Sequence, residues 1–137
     1  MELRDKNGLT EQEFLAAYRP GKYERPSLTA DIAVFIVEQE RLRLLLVKRG
    51  GHPYLGCWAL PGGFAKKDES VDETAARELE EETGYRVESP ENLEYLMSLT
   101  TTVAFCDEAI DIFVAHNLIP SHQNLDEDEV INVEPCE

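Results

Sequence analysis

Three glutamates close together in one helix carry the strongest chemical signal in this chain. Glu78, Glu81 and Glu82 fall in the run Arg77-Glu78-Leu79-Glu80-Glu81-Glu82. With Glu78 at zero on a helical wheel of about 100° per residue, Glu81 falls at about 300° and Glu82 at about 40°, so the three share a face. Val71, Ala75 and Leu79 fall at about 20–100°, which makes the carboxylates overlap the apolar side that must turn inward. Glu73, Arg77 and Glu80 fall at about 200–260° and are expected in solvent. Like charges three and four residues apart repel by about 0.2–0.5 kcal/mol, and carboxylates in a last helical turn oppose the macrodipole by about 0.3–1 kcal/mol. Burial adds to this cost unless a counterion is supplied. Arg77 is the one base in the helix and cannot balance three glutamates. All-oxygen carboxylate sets select hard cations such as Mg²⁺ and leave positions for water and phosphate. Just upstream, Pro61-Gly62-Gly63 offers backbone that a metal or diphosphate can approach closely, because the glycines carry no Cβ.

These residues need elements to hold them. Ser70 to Thr83 reads as the clearest helix, opened by a capping box of Ser70 with Glu73 and closed by Gly84, where a left-handed cap is wanted. A short helix over about 10–19 starts at Thr10, with Glu13 as capping-box partner and Leu9 with Phe14 as a hydrophobic staple, and stops near Arg19-Pro20-Gly21. Leu28–Val37 and Leu42–Val47 are β-type runs joined by the polar Glu38-Gln39-Glu40-Arg41, which suggests a hairpin. Gly50-Gly51-His52-Pro53 and Pro61-Gly62-Gly63 are turn chemistry on either side of a brief Trp58-Ala59-Leu60 strand. Leu93–Val103 and Ala109–Leu118 read as two further strands, and Ser121–Glu129 as an acidic turn before a short 130–133 strand. The pattern is that of an α+β or three-layer α/β fold.

Composition excludes several classes. With 42% apolar residues over 137 positions the chain has an ordinary core and the size of a single domain, not the make-up of a disordered, collagenous or coiled-coil protein. Thirteen basic against 28 acidic residues leave a net charge of −15, a field that repels nucleic acid and anionic lipid, so neither is expected as a partner. The excess is uneven: the first fifty residues are nearly balanced, whereas no base follows Arg86. Cys57, Cys106 and Cys136 show no paired spacing, which indicates neither a disulfide framework nor a zinc site and fits a reducing compartment. The polar start and the lack of a long apolar run point to a cytoplasmic location.

The stretch Gly63, five residues, Glu69, seven residues, then Arg77-Glu78-Leu79-Glu80-Glu81-Glu82-Thr83-Gly84-Tyr85 is similar to the Nudix box at every fixed position. The upstream KRGGHPYLGCWALPGGF and KYERPSLTADIAVF resemble the Nudix branch that contains ADP-ribose pyrophosphatases and Nudix-related transcriptional regulators, and the likeness runs over roughly Lys22 to Val133. The resemblance implies an α/β/α sandwich with a mixed sheet and Mg²⁺- or Mn²⁺-dependent hydrolysis of a nucleoside diphosphate linked to another moiety, such as ADP-ribose to AMP and ribose 5-phosphate. By position it makes Glu78, Glu81 and Glu82 metal ligands, lets the backbone of Gly62 or Gly63 complete the shell, and gives Arg77 and Glu69 the task of orienting loop and helix. It also implies a catalytic glutamate from a downstream acidic loop, here Leu125-Asp126-Glu127-Asp128-Glu129, with Glu127 and Glu129 as candidates.

Arg25, Arg49, Lys48 and His52 are the cations expected to meet an anionic substrate, and Glu108 is a further metal or substrate contact. Trp58, Tyr54 and Phe64 flank the glycines; a base could stack there, although a lone Trp beside a strand more often belongs to a core. His116 and His122 lie in no constellation and read as structural. Two departures from the family pattern stand out: Leu99-Thr100-Thr101-Thr102-Val103 lacks the proline that ADP-ribose hydrolases carry past the box, and the C-terminal helix of the sandwich is missing before Glu137. That leaves one sheet face for a further segment or a partner subunit, and a homodimer is expected. Three readings stay open: the ADP-ribose hydrolase, a non-catalytic ADP-ribose-sensing module of the regulator type, and a Nudix hydrolase of nucleoside triphosphates or CDP-alcohols.

Overall fold

A computed structural model describes residues 3–19, 28–100, 108–125 and 131–136. The order is α1 (Glu11–Ala17), β1 (Leu28–Glu38), β2 (Arg41–Arg49), β3 (Trp58–Ala59), β4 (Gly62–Phe64), α2 (Val71–Thr83), β5 (Tyr85–Val87), a 3-10 turn (Pro90–Asn92), β6 (Leu93–Thr100), β7 (Ala109–Ala115), β8 (Leu118–Pro120) and β9 (Ile131–Cys136). Both expected capping boxes form, Thr10 with Glu13 and Ser70 with Glu73, and Gly84 closes α2 at φ 73°.

The main sheet is mixed and runs β3-β2-β1-β7-β6. Among the described residues only β1 and β7 are parallel; the other pairings are antiparallel. The β1–β2 hairpin turns on Gln39 and Glu40, at φ 53° and 63°, as a tight turn matched to strand twist requires. Beyond Val34↔Leu45 the two strands part, and β4 takes the vacated edge of β1 through Thr29↔Phe64, Ala30↔Gly63 and Asp31↔Gly62. Pro61-Gly62-Gly63, read as turn chemistry, thus leads into a short strand. The glycines serve close approach rather than chain reversal, since a Cβ on Gly62 would stand 2.8 Å from the Asp31 Cα.

Alternation along β1 sends Ala30, Ile32 and Val34 to the face that meets Ala75 and Leu79 of α2, joined by Leu45, Phe113 and Ala115 in one buried cluster. Each large side chain buried there contributes about 1.5–3 kcal/mol. The opposite face carries Phe35, Val37, Leu42, Met97 and Leu99, all exposed, and among the described residues no helix covers it. Helix α1 lies instead beside the loop that follows β2: His52 Nε2 is 3.0 Å from the Leu9 carbonyl, and the His52 and Phe14 rings stand 5.8 Å apart. The run Ala109–Leu118 splits, with β7 ending at Ala115 and Leu118–Pro120 pairing with β5 in a separate two-stranded sheet. Among the described residues no helix is long and apolar enough to cross a membrane.

Candidate active site

Helix α2 and strand β4 bring the glutamates and the glycines together. Glu78 and Glu82 are only 7% and 5% exposed, and Glu81 is half-buried, as the wheel requires. Gly63 faces α2, and a Cβ there would lie 2.6 Å from the Glu78 Cδ, so the carboxylate rests directly on this glycine. The Ile32 amide donates to the Pro61 carbonyl and the Ala65 amide to the Leu28 carbonyl. This phase leaves Gly62 opposite Asp31 as a non-hydrogen-bonded pair, with its N–H and C=O both turned away from β1. The N–H donates to Glu82 Oε2 at 2.8 Å.

Arg77 departs from the expectation of a solvated residue. Its side chain is 18% exposed and uses all five of its donors. Nε donates to Glu69 Oε1 (2.7 Å), Nη1 to Glu78 Oε1 (2.7 Å) and Glu81 Oε2 (2.9 Å), and Nη2 to Glu69 Oε2 (3.0 Å) and the Phe64 carbonyl (3.1 Å). The wheel missed this because an arginine is long enough to fold across its helix onto neighbouring carboxylates. These bonds to Arg77 hold the Glu69 carboxyl down at about 2, while Glu69 above all raises the pKa of the guanidinium. Glu80 is likewise half-buried rather than solvated and accepts a hydrogen bond from the Ser121 hydroxyl.

Among the described residues the Arg77 guanidinium thus serves Glu69, Glu78 and Glu81, with Glu82 beside them. Three carboxylates and the outward carbonyl of Gly62 form a hard-oxygen donor set, which fits a divalent cation in chemistry. Among the described residues no three acidic, imidazole or thiol groups close around a single point, because Arg77 spans Glu78 and Glu81 while Gly62 holds Glu82.

The remaining candidates are placed differently. Glu108, just before β7, is near enough to add its charge to the burial that pushes the Asp31 carboxyl up to about 6. Arg49 is exposed and donates to the Pro53 carbonyl at 3.0 Å, in the loop after β2 rather than to the glutamates. Arg25, Glu127 and Glu129 lie outside the described residues, as does Cys106; Cys57 and Cys136 are free thiols. Trp58 is exposed and not core, with Lys48 Nζ 5.4 Å from its ring centre. His116 pairs with Glu94 at 2.7 Å, in keeping with a structural role.

Sequence reasoning missed Asp31 and the segment around His122. A cleft of about 380 Å³ is lined by Arg77, Glu80, Glu81, Ser121, His122 and Asn124, so His122 faces the glutamate helix after all. No spacing rule could have paired it with a helix some forty positions earlier. A larger cleft of about 440 Å³ lies between α1 and the loop after β2, away from α2.

Known proteins resemble this chain closely. It is 42% identical over 86 residues to the ADPR responsive transcriptional repressor NtrR of Acinetobacter baylyi, covering 61% of this chain and 34% of that one. It is 34% identical over 105 residues to the ADP-ribose pyrophosphatase of Bacillus subtilis, covering 74% and 55%. The chain thus spans between a third and just over half of the length of these relatives. The structure of the NUDIX domain of Shewanella oneidensis NrtR complexed with ADP ribose superposes with a TM-score of 0.66 at 28% identity, over 93% of this chain and 83% of that one. The family model described as the NUDIX domain matches residues 27–137, from just before β1 through β9, and the chain belongs to that family.

Proposed function

We propose that this chain is a divalent-metal-dependent hydrolase of a nucleoside diphosphate linked to another moiety, with ADP-ribose, cleaved to AMP and ribose 5-phosphate, as its substrate. One observation carries the reading: the carboxylates of Glu78 and Glu82 are buried against the Gly62–Gly63 strand beside Glu69 and Glu81, with Arg77 bonding Glu69, Glu78 and Glu81 and the Gly62 amide bonding Glu82. Carboxylates gathered and buried at that density, with the Gly62 carbonyl beside them, are the hard-oxygen donors that a divalent cation takes.

Glu78, Glu81, Glu82 and the Gly62 carbonyl are the groups that would hold Mg²⁺ or Mn²⁺. Bound there, the ion supplies charge neutralisation for the diphosphate and Lewis acidity toward water. The chain does the positioning. The Gly62 amide fixes Glu82, the Arg77 fork fixes Glu78 and Glu81, and Glu69 with the Phe64 carbonyl anchors that fork to the start of the helix. Placement of this kind is a large part of catalysis where a charge must be met at a defined point.

The test is turnover on a panel of ADP-ribose, dinucleotides, nucleotide sugars, CDP-alcohols and nucleoside triphosphates with Mg²⁺ or Mn²⁺, products identified by mass. ADP-ribose is expected to give AMP, and Glu82→Gln to lower turnover by roughly 10²–10³-fold, as when one electrostatic partner of a transition state is deleted. Unchanged turnover in that variant would sink the assignment of Glu82. A second reading, an ADP-ribose sensor without catalysis, draws support from the likeness to the NtrR repressor and to an NrtR domain holding ADP ribose. Tight ADP-ribose binding with no product would favour it.

A further inference from the structure

The last turn of a helix has carbonyls without intrahelical partners and frays first. In α2 that turn carries Glu81 and Glu82, so the least secure backbone of the helix bears two of the candidate ligands. Three of its carbonyls are nevertheless provided with donors. The Gly84 amide donates to the Glu80 carbonyl at 3.0 Å, and one turn back the Thr83 hydroxyl adds a bond to the Leu79 carbonyl at 2.5 Å. The next two come from about forty residues downstream: the Asn124 amide donates to the Glu81 carbonyl at 2.9 Å, and Gln123 Nε2 to the Glu82 carbonyl at 2.6 Å. The Ser121 amide closes the set on the Gly84 carbonyl at 2.7 Å.

Gly84 has a second duty in this arrangement. Beyond its left-handed φ, a Cβ there would stand 3.3 Å from the Gln123 backbone N, so the glycine lets the downstream segment lie flat on the helix end. The N–H donors also meet the negative end of the helix dipole, which the last-turn glutamates otherwise worsen.

We propose that the Ser121–Asn124 segment is a clamp on the C-terminal turn of α2 and that Gln123 is a positioning residue, which fixes the backbone of Glu82 and through it the carboxylates facing β4. This rests on the proposed function for the identity of the ligands, but the clamp itself is a property of the backbone. Groups that orient metal ligands without touching the metal typically contribute roughly 10–100-fold in affinity when deleted.

The experiment compares the full chain with Gln123→Met, which keeps the side-chain length and deletes the donor, and with Gln123→Ala. Mn²⁺ binding is titrated by paramagnetic resonance, amide exchange at Gly84, Ser121 and Asn124 is followed by NMR, and melting and the kcat and KM for ADP-ribose are measured alongside. Both variants are expected to bind Mn²⁺ roughly tenfold more weakly, to exchange those three amides faster, and to lose kcat with KM nearly unchanged. The melting temperature should stay close to that of the wild type, because the side chain is exposed. Wild-type Mn²⁺ affinity and exchange in both variants would overturn the clamp, as would losses that merely follow a lower melting temperature. Absence of Mn²⁺ binding by the wild-type chain would overturn the functional reading instead, and the exchange rates would then decide the clamp alone.

Discussion

Alanine at each of the two adjacent glycines should separate function from stability. At Gly63 the backbone φ is outside the left-handed region, so alanine meets no conformational penalty of its own. Its Cβ would sit 2.6 Å from the Glu78 Cδ, roughly 1 Å inside the ordinary carbon contact of about 3.5–4.0 Å. What it strikes is the end of a long side chain, which swings aside at small cost. Turning aside takes the Glu78 carboxylate from its place 2.7 Å from Arg77 Nη1 without moving any backbone. A shift of about 1 Å in a group that positions the reaction costs roughly 10²-fold in rate. At Gly62 the new Cβ would stand 2.8 Å from the Asp31 Cα and against the Ala30 carbonyl, backbone that cannot swing. Overpacking of that sort costs about 1–3 kcal/mol, and each kcal/mol moves the melting temperature by about 2–4 °C in a chain of this size. Gly63→Ala should therefore melt close to wild type yet lose most of its kcat for ADP-ribose and its Mn²⁺ affinity, while Gly62→Ala melts several degrees lower. The reasoning fails if Gly63→Ala keeps wild-type turnover and Mn²⁺ affinity, or if it is the less stable of the two.

Two predictions concern pH. Glu69, held at about 2 against an ordinary 4.5, adds stability that is complete above pH 4.5 and is lost as pH falls from there toward 2. Glu69→Gln should remove that acid limb and, by loosening the Arg77 fork, lower the melting temperature at pH 7; a melting curve with wild-type pH dependence below 4.5 counts against the Glu69–Arg77 link. Asp31 has the opposite sign: raised from 3.8 to about 6, it keeps in the folded state a proton that the unfolded chain gives up, so stability declines between pH 4 and 6 and is level above. Asp31→Asn should gain on wild type across that window and stay ahead at pH 8, as read by denaturant midpoints; a constant difference across the window would refute the burial of an ionisable Asp31.

The legible parts of this structure are those governed by local rules. Ser70 with Glu73, Thr10 with Glu13 and Gly84 each announce a helix end because capping needs particular side chains at fixed spacing. The inward turn of Glu78 and Glu82 follows from the 3.6-residue repeat alone. What was not legible depends on partners far away in sequence. Arg77 left its expected solvent position because Glu69 and the Phe64 carbonyl come within reach only after β4 has paired with β1. His122, Gln123 and Asn124 gave no signal, since nothing local marks a residue whose partner is a helix carbonyl about forty positions earlier. Pro61-Gly62-Gly63 misled for a related reason: glycine admits both a turn and a close approach, and only the neighbouring strand decides between them.

The net charge of −15 also divides along physical lines. Exposed acids such as Glu73 and Glu94 are solvated and cost little. Glu69, Glu78 and Glu81 are a different population, drawn together by Arg77, whose five donors are all committed, with Glu82 beside them on the Gly62 amide. Half of that fork, Nε and Nη2, ties Glu69 and the Phe64 carbonyl and so fixes the helix to β4. The other half, Nη1, rests on one oxygen each of Glu78 and Glu81. A cation entering among these carboxylates would have to draw their oxygens together from the bonds to Arg77 and Gly62 that now hold them apart. The same bonds that oppose acid repulsion in the folded chain keep these side chains beside β4, and stability and metal affinity should be lost together when Arg77 is the residue removed but separately when Gly63 or Gln123 is.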